Sequence, residues 1–140
     1  MSASDDQTLI AAAEQAMARA YAKYSGFQVG AAVVTARGGL FVGCNVENIS
    51  YPLGMCAERN AIAAAVAAEG AAMRLVRIAV RAESQGVPQP CTPCGACRQV
   101  ILEFGSDAEV LYRGADLTLM RIAARELLPH AFTFDPPARG

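Results

Sequence analysis

The 140-residue chain is 54% hydrophobic and 18% charged, with a net charge of −1, which is apolar material enough for one core without disulfides. Nothing basic is concentrated enough to neutralise a phosphate backbone, which argues against nucleic acid as a partner and leaves small neutral molecules. No apolar run has the length of a membrane span, the Ala-rich stretch 61–68 being too short.

The expectation is a single domain over 1–140. Its apolar share is high for that size, a sign that some surface is buried against other copies. Residues 1–6 show neither the basic segment nor the apolar core of a signal peptide, so a cytoplasmic location is expected. Thiols stay reduced there, and the five cysteines read as ligands or packing rather than disulfides.

Ser4-Asp5-Asp6-Gln7 has the S-x-x-Q form of a capping box. Leu9, Ile10, Ala13, Ala16, Met17, Ala20 and Tyr24 follow at helical spacing, predicting a helix over 5–25 ended by Gly26. Segments 27–36 and 40–44 are strand-like and flank Arg37-Gly38-Gly39, a β-hairpin; 45–54 is a polar loop. The Ala-rich segment 56–69, closed by Gly70, predicts a second helix.

Val76, Ile78 and Val80 alternate in a strand over 75–81, and 84–92 reads as a loop. Pro93 suits the first turn of a helix running to Phe104 and stopped by Gly105. A short strand over 109–112 and a last helix over 117–128, stopped by Pro129, complete the order αββαβαβα. The Pro-rich tail 135–140 is expected to be frayed. Strands alternating with helices imply an α/β fold, a three-layer α/β/α arrangement around a mixed sheet.

The chemistry sits in the cysteines. Cys94-Gly95-Ala96-Cys97 at a helix start puts two sulfurs on one face, a spacing shared by zinc clamps and redox sites. Cys56-Ala57-Glu58 opens the other helix, where residues two apart converge on a point off the helix end. Cys56, Cys94 and Cys97 make three ligands, and catalytic zinc sites keep three and leave a fourth position open. Cys91 forms a rival C-x-x-C with Cys94 and would complete a closed Cys₄ site with Cys56 and Cys97. Cys44, at a strand end, reads as a packed thiol, and the sole histidine, His130, as a solvated loop residue.

Hydrolytic deamination needs one proton taken from water, one given to ring N3 and one to the departing amine. A single carboxyl beside the metal, Glu58, can shuttle all of them. Alone, Glu58 would be an ordinary helix-start glutamate favoured by the dipole. Placed two residues after Cys56, with Pro93-Cys94-x-x-Cys97 downstream, it matches the H-x-E…P-C-x-x-C signature in its all-cysteine form. Three thiolates on Zn²⁺ sum to −1, which opposes ionising water there, so donors to the sulfurs are needed. Two helix N-termini help, and Arg59 or Arg98 offers a cation.

Five blocks carry a wider likeness: 24–32 (YSGFQVGAA), 43–52 (GCNVENISYP), 56–62 (CAERNAI), 93–100 (PCGACRQV), and Leu127-Leu128-Pro129 with Phe132. In order and wording the chain resembles the small, tetrameric, zinc-dependent cytidine deaminases over most of 24–132. The resemblance implies one zinc per subunit on Cys56, Cys94 and Cys97, selecting against Cys91, with Glu58 as proton shuttle. It implies Phe27 stacking on the pyrimidine, Asn45 and Glu47 binding the ribose 3′-hydroxyl, and backbone groups at Cys56 and Ala57 reading the base edge.

Arg59 would bond the ligand sulfurs, and Tyr51 and Phe132 would reach a neighbour's site in a homotetramer with shared active sites. The expected reaction is deamination of cytidine and deoxycytidine in pyrimidine salvage. Read without the family, Phe27 is core, Asn45 and Glu47 are loop residues and Tyr51 a turn residue. Two rivals stand beside this reading: a structural zinc module, which leaves Glu58, Asn45 and Glu47 idle, and a zinc deaminase of another substrate such as blasticidin S.

Overall fold

The computed structural model describes residues 5–133. The elements are α1 (Asp6–Met17), β1 (Phe27–Thr35), β2 (Leu40–Cys44), α2 (Ala57–Glu69), β3 (Leu75–Ser84), β4 (Val87–Gln89), α3 (Gly95–Phe104), β5 (Glu109–Arg113), β6 (Leu119–Ala123) and α4 (Ala124–Leu127). The sheet runs β2-β1-β3-β5-β6, with β4 paired to β3. Only β3 and β5 are parallel, and every other pair is antiparallel. The mixed sheet and helical layers expected of an α/β fold are both present.

Strand alternation sorts the core into two clusters. Val29, Ala31 and Val33 of β1 join Ala57, Ala61, Ile62, Ala65 and Ile101 under α2 and α3. Ala32 and Val34, on the opposite face, join Leu9 and Ala13 of α1. Glycines allow both helices to approach closely. A Cβ on Gly30 would stand 2.0 Å from the Ala13 carbonyl oxygen in α1, and one on Gly43 would stand 2.4 Å from the Ala61 amide nitrogen in α2.

Three expectations are corrected. The first helix stops at Met17, not at 25, because the loop after β2 captures the backbone that follows. The Tyr21 N–H donates to the Asn45 carbonyl and the Glu47 N–H to the Tyr21 carbonyl, at 3.0 and 2.9 Å. The cap is Asp5, whose carboxylate accepts from the Gln7 and Thr8 N–H groups. Ser4 of the expected capping box and the tail 135–140 lie outside the described residues.

The loop expected over 84–92 contains a hairpin: Gln85 and Gly86, at φ 50° and 79°, form a two-residue turn that returns β4 onto β3. The last helix, expected over 117–128, is instead β6 followed by a single turn. The Gly114 N–H donates to the Thr118 carbonyl, the Asp116 carboxylate accepts from the Thr118 N–H, and Leu117 takes φ 66°. This tight return pairs β6 with β5, places Ile122 against the core and brings Arg121 to Asp6 and Glu109.

Candidate active site

Cys56 and Cys94 are the N-cap residues of α2 and α3, and neither uses its side chain to cap its own helix. Both sulfurs therefore project off helix N-termini, where the macrodipole favours negative charge. Cys97 lies one turn into α3 and is fully buried. The three sulfurs all lie within 4.8 Å of one another, with Cys94 and Cys97 3.4 Å apart. Sulfurs on a tetrahedral zinc shell with Zn–S of 2.3 Å stand about 3.8 Å apart, so the donor set fits zinc.

Among the described residues this is the one such cluster of potential metal ligands, and neither Cys91 nor His130 belongs to it. His130 is exposed, as expected, and the closed Cys₄ alternative finds no support in the geometry.

The thiols divide electrostatically. Burial opposes ionisation of Cys94, but hydrogen bonds from the Cys97 backbone N–H and from the Cys97 and Cys56 thiols hold its pKa below the ordinary value. Burial pushes Cys97 up, with the Glu58 charge adding to it. Cys91 is pushed up to about 12 by burial and then by the charges of Glu58, Cys56 and Cys94. A thiolate at Cys97 is thus opposed by its surroundings, and the positive charge of a metal would favour it.

Arg59 answers part of the resulting negative charge. Its Nη2 donates to Cys56 Sγ at 3.5 Å, and its Nε is buried without a hydrogen-bond partner. The sulfur contact leads the causes that raise its own pKa. Arg98 plays no such part. Its Nε donates to the Pro93 carbonyl and its Nη1 to the Leu127 carbonyl, fixing the chain on either side of α3.

Glu58, in the first turn of α2, is 4% exposed. Burial raises its pKa, against smaller opposing effects from its own backbone N–H, the Cys97 thiol and Arg59. It lines a cavity of about 270 Å³ with Val29, Asn45, Glu47, Cys56, Ala57, Cys91 and Cys94. The loop side of this cavity is tightly built. The Asn45 Oδ1 accepts from the Val29 N–H at 2.8 Å, and its Nδ2 donates to the Phe27 carbonyl at 2.9 Å. Glu47 accepts from the Tyr24 and Ser25 N–H groups and from the Ser25 hydroxyl. The Ser25 hydroxyl is the leading cause that lowers its pKa.

The chain matches the family model described as the cytidine and deoxycytidylate deaminase zinc-binding region over residues 3–113. It is 45% identical over 130 residues to a cytidine deaminase of Halalkalibacterium halodurans, spanning 92% of this chain and 95% of that protein. The crystal structure of cytidine deaminase from Burkholderia pseudomallei superposes with a TM-score of 0.80 at 45% identity, covering 91% of this chain and 99% of that one. The Mycobacterium tuberculosis cytidine deaminase structure gives 0.78 at 38%, covering 93% and 98%.

The chain belongs to the cytidine deaminase family. Cys56, Cys94 and Cys97 are positioned for its one zinc. Of the other residues singled out in the sequence, Asn45, Glu47, Ala57 and Glu58 share the cavity with Cys56 and Cys94, while Cys97 is buried behind it. Phe27 does not line it; its ring packs against the α2-side core and its carbonyl receives Asn45. Tyr51 lies outside as well, edge-on to Tyr24 at 6.1 Å, in a neighbouring cavity that shares Glu47 and Gly54. Phe132 is farther still, in a cavity of about 620 Å³ beside α3, where its carbonyl accepts from Gln99.

Three further contributors carry no site signal in the sequence reading. Ser25 fastens Glu47; Asn60 donates to the Cys44 carbonyl at 2.8 Å, tying α2 to the end of β2. Gly43 seats the α2 backbone. A glycine inside a strand is a readable sign of close backbone approach, whereas nothing local marks Ser25 or Asn60.

Proposed function

We propose that this chain hydrolyses the exocyclic amine of free cytidine and deoxycytidine, releasing ammonia and the uracil nucleosides, in pyrimidine salvage. One observation carries the reading: a buried carboxyl, Glu58, stands beside the three-sulfur triad in a cavity whose loop side presents Asn45 and Glu47. A zinc ion held by Cys56, Cys94 and Cys97 supplies Lewis-acid activation of water at neutral pH. Glu58 takes a proton from the attacking water and delivers protons to N3 and to the departing amine. A carboxyl whose pKa burial has raised suits a group that must both accept and donate.

Asn45 and Glu47 hold the ribose 3′-hydroxyl, backbone groups at Cys56 and Ala57 read the base edge, and Arg59 supports the sulfur charge. The position of Asn45, Glu47 and Ala57 on the cavity wall and the Arg59–Cys56 contact favour these roles. The stacking role of Phe27 rests on its sequence block. The working enzyme is a cytoplasmic homotetramer with shared sites. Ile49, Tyr51, Leu53 and Met55 are all exposed, and Phe132 is 77% exposed, as expected of side chains that await a neighbour.

A substrate panel tests the activity. Cytidine and deoxycytidine should be turned over, with cytosine, blasticidin S and single-stranded polynucleotides poor or inert. Preference for blasticidin S, or zinc binding with no activity on any of these substrates, would overturn the reading.

A further inference from the structure

Cys91 is the cysteine that the triad leaves out, yet its side chain lines the same cavity as Cys56, Ala57, Glu58 and Cys94. Its place is fixed. The Cys91 N–H donates to the Arg113 carbonyl at 3.1 Å, and its side chain packs against the α2-side core. Its sulfur has only a long 4.0 Å contact with the Thr92 carbonyl. Among the described residues no other polar partner engages this thiol; besides packing on the core, it forms part of the cavity wall.

The proposed reaction orients the base in this cavity, and the present inference rests on that reading. C4 faces the sulfur triad, and N1, which carries the sugar, faces Asn45 and Glu47. Glu58 serves N3, so the N3 edge lies along the start of α2, with Ala57 and Glu58. The opposite edge carries C5 and C6. Of the lining not yet assigned, Val29, Val46, Gly54 and Met55 come from β1 and the loop that carries Asn45 and Glu47, whereas Cys91 and Thr92 come from the segment that leads into Cys94, and we assign that segment to the C5 edge.

We propose that Cys91 is a specificity-determining residue whose compact side chain sets the room at C5 of the pyrimidine and hence which 5-substituted cytidines are accepted. An alanine there removes the sulfur and widens the pocket at C5. A valine branches at Cβ and narrows it.

The test compares kcat/KM for cytidine, 5-fluorocytidine and 5-methylcytidine in wild type, Cys91→Ala and Cys91→Val, with zinc content measured for each. A methyl-sized change in an apolar pocket shifts discrimination by roughly 10–200-fold. The 5-methylcytidine to cytidine ratio should therefore rise at least about tenfold in Cys91→Ala and fall at least about tenfold in Cys91→Val. If Cys91→Val does not fold, the alanine variant decides alone. Ratios that change less than about threefold with substituent size in the variants, relative to wild type, would overturn the role of Cys91. A wild-type enzyme inactive on cytidine itself would overturn the proposed function, a result separate from this one.

Discussion

The contact of α2 with Gly43 lets the position of the helix that carries the proposed proton shuttle be tested apart from its stability. In Gly43→Ala the new methyl would meet the Ala61 amide nitrogen at 2.4 Å, the Ala57 carbonyl oxygen at 2.7 Å and the Asn60 carbonyl carbon at 2.9 Å. All three are backbone atoms, so no side-chain rotation relieves the overlap. Restoring ordinary contact at about 3.5 Å requires α2 to lift from the sheet by about 1 Å.

Overpacking of this kind costs about 1–3 kcal/mol of stability. The same displacement moves Cys56 and Glu58 at the helix start, and a misplacement of about 1 Å costs on the order of 10²-fold in rate. Ala64→Gly, on the exposed side of α2, supplies the comparison: it destabilises by about 1 kcal/mol without pushing the helix. Urea unfolding and kcat/KM on cytidine, measured side by side, should show similar stability losses but a large activity loss only in Gly43→Ala. If Gly43→Ala keeps activity within about threefold, or if Ala64→Gly loses as much, Gly43 does not position the site.

Serine in place of Cys56, Cys94 or Cys97 should remove most of the zinc, because an oxygen donor replaces a thiolate, while Cys91→Ser keeps it; metal analysis of the four proteins decides. Glu58→Gln should bind zinc but lose about 10²–10⁴-fold or more in kcat. Since burial raises the pKa of Glu58, and the proposed shuttle begins by accepting a proton, wild-type kcat/KM should decline as pH falls through a value above the ordinary 4.3 or so. A pH–rate profile that stays flat down to that value would contradict this assignment. Cytidine lacking the 3′-hydroxyl should be a poor substrate, because the hydrogen-bonding capacity of Asn45 and Glu47 not already taken by the protein would lose its partner; turnover equal to that of cytidine would refute the sugar contact. Mixed Glu58→Gln and Phe132→Ala subunits should, after exchange, exceed the mean activity of the parents, and no gain despite confirmed exchange would argue against shared sites.

The sequence marked the candidate site more clearly than the fold's edges. Cys56, Glu58, Cys94 and Cys97 were legible because their geometry is local: two helix starts impose it, and a two- or three-residue spacing records it. The apolar run of β1 and the Ala-rich pattern of α2 were legible for the same reason. The elements misread were those settled by distant partners. Residues 18–25 carry a helical pattern, yet their backbone is held by Asn45 and Glu47. Residues 119–123 carry enough apolar character for a helix but are drawn into pairing with β5. Tyr51 and Phe132 were marked by family likeness alone, since a single chain gives an exposed aromatic no local signature of its role.

The Asn45 side chain has a consequence for molecular polarity. Its oxygen faces the Val29 N–H and its nitrogen faces the Phe27 carbonyl, so turning the amide over would set donor against donor and acceptor against acceptor. The group is keyed. One N–H and one lone pair remain for whatever enters the cavity. A hydroxyl can satisfy both at once, as can an amine, whereas a fluorine can take only the hydrogen and a bare carbon neither. Asn45→Asp, nearly the same in size, would erase the key, because a carboxylate cannot donate to the Phe27 carbonyl and would repel it. The polarity of this corner of the pocket is thus set by the main chain of β1, before any ligand arrives.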